Sequence, residues 1–155
     1  MATFLFNETI FGPIKSRRLG ISLGINLLPN CRKVCNFNCI YCECGWTQDS
    51  NEKGKMPTFQ EVSTLLESKL IEMSAKSIVP DVITFAGNGE PTLHPDFSKI
   101  TSEVIRLRNQ YFPKAKIALL SNASTLAKKG VIESMMQMDK FILKLDLVLK
   151  QRAFD

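Results

Sequence analysis

Four short apolar runs, with helical patterns between the later ones, limit what this chain can fold into. Ile21, Leu23, Ile25 and Leu27 alternate with Gly20, Ser22, Gly24 and Asn26, a period-two pattern that predicts a strand over 20–27. Val82–Ala86, Ile117–Leu120 and Phe141–Leu147 read as three further buried strands. Thr58 and Glu61 have capping-box spacing, and Val62, Leu65, Leu66, Leu70 and Met73 then form an apolar stripe, so a helix begins at Thr58. Phe97, Ile100, Val104 and Leu107 mark a second helix, with Pro95 and Asp96 suited to its first turn. A weaker helix is expected over 124–138, broken near Gly130. Strands separated by helices pair in parallel through right-handed crossovers. The expected fold is therefore α/β, with a parallel sheet of four strands. The 155 residues suit one domain, and we take 1–155 as such. They are too few for a closed eight-unit barrel, which typically needs about 250.

Composition excludes some classes. With 45% hydrophobic and 23% charged residues, the chain has the makings of a globular core rather than of a disordered segment. The net charge of +5 describes a mildly basic surface, and no Lys/Arg block is dense enough by itself to argue for nucleic acid. No apolar run approaches the about 20 residues of a membrane span. Residues 1–13 lack a basic region followed by an apolar one, so a cytoplasmic location with no membrane partner is expected.

The chemistry concentrates in one segment. All five cysteines lie between Cys31 and Cys44, which points to metal ligation rather than disulfides. Cys35, Cys39 and Cys42 have the spacing C-x3-C-x2-C. Three thiolates on one loop can hold three irons of a [4Fe–4S] cluster and leave the fourth iron open. A tetrahedral zinc site completed by Cys31 or Cys44 is the competing reading, and the spacing Cys31-x3-Cys35-x3-Cys39 is a further alternative. Tyr41 stands immediately before the last cysteine of the motif.

This C-x3-C-x-aromatic-C string resembles the signature of the radical SAM superfamily. The resemblance implies that Cys35, Cys39 and Cys42 ligate the cluster, that its open iron binds the amino and carboxylate groups of S-adenosylmethionine, and that Tyr41 lies against the adenine. Gly87-Asn88-Gly89-Glu90-Pro91, after the second strand, resembles the family's Gly-Gly-Glu region, with Asn88 in place of the second glycine. Gly87, Asn88, Gly89 and Glu90 are therefore expected at the cofactor's methionine end, where a carboxylate can accept from an ammonium. Ser121 and Asn122 resemble the polar strand end that contacts ribose and carboxylate; a turn or helix cap is the structural alternative. Lys144 and Asp146, two apart on the fourth strand, share a face and are further candidates for cofactor contact. All these motifs fall at strand carboxyl ends, where parallel α/β folds bind ligands.

The stretch from Phe11 to Asn26, with Arg17 and Arg18, resembles the branch that contains wyosine-type tRNA-modifying enzymes. The resemblance implies reductive cleavage of S-adenosylmethionine to a 5′-deoxyadenosyl radical. It also implies a flavodoxin- or ferredoxin-like electron donor and an unidentified substrate, with tRNA one candidate. The family core is a partial barrel of six βα units, so about four strands imply an incomplete core. Self-association, a partner or a missing C-terminal half would then cover an apolar edge at Phe141–Leu149. A non-catalytic remnant and a zinc- or cluster-binding module are the alternatives. His94 is read as a helix-start residue, Met135, Met136 and Met138 as core filler, and Trp46 as packing on the cysteine loop.

Overall fold

A computed structural model describes residues 4–47 and 54–144. The chain runs β1 (Ile10–Ser16), β2 (Gly20–Ile25), α1 (Phe59–Ala75), β3 (Val82–Phe85), a 3-10 turn (Pro91–Leu93), α2 (Phe97–Tyr111), β4 (Lys116–Ser121), α3 (Val131–Met135) and β5 (Lys140–Leu143). The sheet order is β1-β2-β3-β4-β5. β2 to β5 are parallel, and β1 is antiparallel to β2. Strands laid down in sequence order with like-handed crossovers put their helices on one face, the layout of a (βα) barrel wall rather than a doubly wound sheet.

The fifth strand corrects the sequence reading, which counts four. β1 holds Gly12 and Pro13, residues that strand patterns disfavour, and its register with β2 shifts between Phe11 and Ile14. Proline is tolerated there because β1 is an edge strand. The last expected strand is shorter than Phe141–Leu147, since β5 ends at Leu143; residues 145–149 lie outside the described residues. β5 is the opposite edge of the sheet, with Phe141 46% exposed.

Alternation along the strands sorts their two faces. Leu23, Ile25, Ile83, Phe85, Ile117 and Leu119 belong to one buried cluster with Val62, Leu66, Leu70 and Met73 of α1 and with Phe97, Ile100, Val104 and Leu107 of α2. The other face carries small residues in register, Gly24 beside Thr84 and Thr84 beside Ala118. The Phe11 ring lies directly over Gly24, where a Cβ would come within 2.1 Å of it. Phe6 stacks on Phe11 at 3.8 Å, so aromatic rings from the N-terminal segment cover the face that the helices leave open.

Helix α1 starts where the pattern places it. Glu61 N donates to Thr58 Oγ1 at 3.2 Å, and Thr58 N donates to Glu61 Oε2 at 2.6 Å. Leu65, expected in its apolar stripe, is exposed. The expected helix over 124–138 reduces to α3, because Gly130 turns the backbone into the left-handed region at φ 88° immediately before it. Met135 and Met138 are buried as expected, whereas Met136 is exposed. Thr58→Ala removes one bond of the box and should lower unfolding free energy by about 1 kcal/mol. Phe85→Ala, in the centre of the core, should cost about 3–5 kcal/mol. Urea unfolding followed by circular dichroism checks both values and their order.

Candidate cofactor cleft

The cysteine segment leaves the carboxyl end of β2 and is fastened to the carboxyl end of β3. Val34 N donates to Asn88 O at 2.9 Å, and Glu90 N donates to Val34 O at 3.0 Å, giving a parallel bridge between Val34 and Gly89. Gly89 sits at φ 137°, and a Cβ there would lie 1.9 Å from the Val34 carbonyl oxygen. Glycine is needed at this position for the approach of the cysteine segment. Gly87 has a matching role: its φ is 151°, and a Cβ would meet Asn26 Oδ1 at 2.2 Å.

Asn26 and Asn88 organise the backbone beneath the site. Asn26 Oδ1 accepts from Leu28 N and Asn88 N, and its Nδ2 donates to Leu28 O and Asn30 Oδ1. Asn88, fully buried, accepts from Phe6 N through Oδ1 and donates from Nδ2 to Phe6 O and Pro29 O, each at 2.8–2.9 Å. Its side chain therefore straps the N-terminal segment across the site. That commitment explains why a residue larger than glycine can stand in the Gly87–Glu90 loop.

The loop itself folds through its own polar residues. Cys42 N donates to Cys39 O, and Gly45 N donates to Cys42 O, both at 3.0 Å. Thr47 donates from N to Asn38 Oδ1 and from Oγ1 to Cys35 O. Asn122 at the end of β4 donates from Nδ2 to Asn36 Oδ1 at 2.9 Å and to Cys35 Sγ at 3.5 Å. Asn36 in turn donates to Ser124 Oγ at 2.6 Å.

These contacts create a cleft of about 460 Å³. Its walls include Cys35, Cys39 and Cys42, the rim residue Tyr41, the Gly87–Glu90 loop, Ser121–Asn122 and Lys144. The volume lies in the usual range for small-molecule sites. Glu90 is 2% exposed. Its Oε1 accepts from Thr92 N, Thr92 Oγ1 and Ser121 Oγ, and its Oε2 accepts from Asn122 N. Oε1 is thus crowded with three donors, whereas Oε2 has one and retains acceptor capacity. Among the described residues, Glu90 forms no ion pair. Thr92 also shares a short hydrogen bond with Thr125, which joins the 3-10 turn to the segment after β4.

Tyr41 is 48% exposed, with the Lys144 ammonium 5.3 Å from its ring centroid. Lys144 N donates to Ser121 O, which holds the residue after β5 against the end of β4. Asp146 lies outside the described residues. Burial raises the Cys39 thiol above its ordinary pKa; Lys33 opposes the shift, and charge on Cys35 and Cys42 adds to it. Cys44 is pushed up to about 11, by burial first and then by Cys42. Its Sγ points to Gly87 O at 3.7 Å, whereas Cys31 is exposed. Among the described residues, no three Cys, His, Asp or Glu side chains converge closely enough to hold a single ion. A four-iron cluster places a different demand, since each thiolate takes its own iron. The donor set fits that group: three cysteines on one short loop, an amide N–H aimed at one sulfur, and a buried carboxylate across the cleft.

Several sequence expectations are relocated. Arg17 and Arg18 form the β1–β2 turn, at the end of β2 opposite the cleft. Trp46 is 67% exposed rather than packed on the loop. His94 does stand at a helix start, with Nδ1 accepting from Asp96 N and Nε2 at 2.8 Å from Pro57 O. Residue patterns give no hint of Lys33 or Phe6 as site residues; Asn26 enters only as the end of the Phe11–Asn26 stretch, and Asn36 only through the Cys-Asn-x-Asn-Cys composition of the loop.

Residues 30–147 match the family described as the Radical SAM superfamily. The chain belongs to that superfamily. It is 34% identical over 139 residues to a UPF0026 protein of Helicobacter pylori, covering 90% of this chain and 42% of that protein. A UPF0026 protein of Methanocaldococcus jannaschii is 35% identical over 139 residues, covering 89% and 40%. A Brachyspira hyodysenteriae protein named GTPase Obg is 35% identical over 143 residues, covering 92% of this chain and 19% of that protein. The chain thus spans less than half the length of these relatives. Among solved structures, BtrN in complex with AdoMet and 2-DOIA matches with a TM-score of 0.49 and 21% identity, over 77% of this chain and 44% of that one.

The bridge between Val34 and Gly89 makes a prediction. Gly89→Ala should detach the cysteine segment locally. Hydrogen exchange should show faster exchange at the Val34 and Glu90 amides, with the amides of α2 unchanged. Unaltered exchange at both positions would contradict the assigned role of Gly89.

Proposed function

We propose that this chain is the cofactor-binding part of a radical SAM enzyme. Cys35, Cys39 and Cys42 hold a [4Fe–4S] cluster, and the cleft beside them receives S-adenosylmethionine. The supporting observation is the meeting of three sequence-distant elements, the cysteine loop, Gly87–Glu90 and Ser121–Asn122, around one cleft at the strand carboxyl ends. When bound, the two cofactors supply a 5′-deoxyadenosyl radical, through one-electron cleavage of the sulfonium C–S bond with release of methionine.

The protein residues bind and orient. Glu90 offers the acceptor capacity left on Oε2 and an unpaired negative charge to the cofactor's ammonium group; the four donors on its two oxygens fix the carboxylate plane. Asn122 steadies Cys35 and Asn36 against β4. Tyr41, at the rim, covers the adenine, and Lys144 supplies a cation on the same side. Phe4 and Phe6 line the cleft from the N-terminal side and give it an apolar wall. A flavodoxin- or ferredoxin-like donor supplies the electron in this reading. The resemblance of the Phe11–Asn26 stretch to the wyosine-type branch makes tRNA the candidate substrate. Faster S-adenosylmethionine cleavage in the presence of bulk tRNA would support that assignment, and an unchanged rate would remove it.

Anaerobic reconstitution tests the central reading. The native chain should take up iron and sulfide, and after dithionite reduction should convert S-adenosylmethionine to 5′-deoxyadenosine and methionine. Cys39→Ala should lose most of the iron and all cleavage, while Cys31→Ala keeps both. Glu90→Gln should retain iron but bind S-adenosylmethionine at least about tenfold more weakly, as expected for loss of a charge-assisted hydrogen bond. Stoichiometric zinc without sulfide would overturn the proposal in favour of a structural metal module.

A further inference from the structure

We propose that Lys33 is the counter-ion of the cysteine-ligated centre: it clamps the ligand loop and favours the reduced cluster. The inference rests on the cluster assignment above and adds a residue that no motif contains. Lys33 stands two positions before Cys35 and is only 4% exposed, unusual for a lysine. Its Nζ donates to Gly45 O at 2.8 Å. That single bond spans the loop from 33 to 45 and so encloses all three ligand positions.

Its charge meets no anionic side chain among the described residues. The Gly45 carbonyl is neutral. Among the described residues, Lys33 forms no ion pair. Glu43 and Glu90 line the same cleft, but neither lies within ion-pair distance of it. A buried ammonium with no anion is strongly unfavourable, because desolvation is not repaid. Lys33 lines the cleft together with Cys35, Cys39 and Cys42, whose sulfurs become thiolates when they hold iron and then supply the missing anions. One-electron reduction adds a further negative charge to the centre they hold. A fixed cation in a poorly solvated site stabilises that added charge and raises the reduction potential.

The test is a potentiometric titration of the reconstituted full chain, with dithionite as reductant and electron paramagnetic resonance of the reduced cluster as readout. Lys33→Gln keeps a donor and removes the charge; Lys33→Arg keeps the charge. At the native midpoint, Lys33→Gln should lower the ratio of reduced to oxidised cluster about tenfold, equivalent to about 59 mV for one electron. Lys33→Arg should stay within about threefold of native. If Lys33→Gln binds no iron while Lys33→Arg does, the charge is required to hold the centre and the proposal stands. An unshifted Lys33→Gln potential would overturn it. So would equal shifts in both variants, or loss of iron from both, since each would make Lys33 a packing residue rather than a counter-ion. Failure of the native chain to bind iron is a separate result, which would remove the cluster assignment itself.

Discussion

The site depends on one short backbone contact, the parallel bridge between Val34 and Gly89. It carries the cysteine segment from the end of β2 to the end of β3 and aligns it with Glu90 in the same step, because Glu90 N is one of the two donors. Without a glycine at 89 the two backbones could not approach, and the cysteines would lie on a loop with no fixed relation to the carboxylate. Asn26, beneath, and Asn88, within the loop, supply the polar partners that a buried backbone crossing of this kind requires.

A second constraint is the separation of charge within the cleft. The Glu90 carboxylate is held by neutral donors only, and the Lys33 ammonium by a neutral carbonyl. Among the described residues, neither forms an ion pair. Such groups are costly to bury and are retained where a ligand supplies the missing charge. Both groups line one cleft, and in the proposed reading Glu90 answers the ammonium of S-adenosylmethionine while Lys33 answers the thiolate-bound cluster.

The α/β class, α1 with its capping box, α2 and the parallel order of β2 to β5 are legible in the sequence because hydrophobic period and cap chemistry agree there. β1 is not legible: a Gly-Pro pair and a bulge hide its period, and pairing with β2 rather than propensity makes it a strand. The shortening of the third helix follows from a left-handed glycine whose effect depends on α2, since Ser98 Oγ donates to Gly130 O. At the site, the chemically loud residues are legible as types and spacing. Their supports are not. Asn26, Lys33 and Phe6 acquire roles only through partners up to 82 residues away, and no local pattern encodes such contacts. The exposed Trp46 shows the converse: a large aromatic near a motif is not thereby part of it.

The central claim is that one cleft holds both a three-cysteine cluster and S-adenosylmethionine. The most direct measurement is the electron paramagnetic resonance spectrum of the dithionite-reduced, reconstituted chain before and after addition of S-adenosylmethionine. A clear change in g-values and line shape is predicted, because the cofactor would reach an iron that no cysteine occupies. A cluster spectrum that stays the same at saturating S-adenosylmethionine would contradict it.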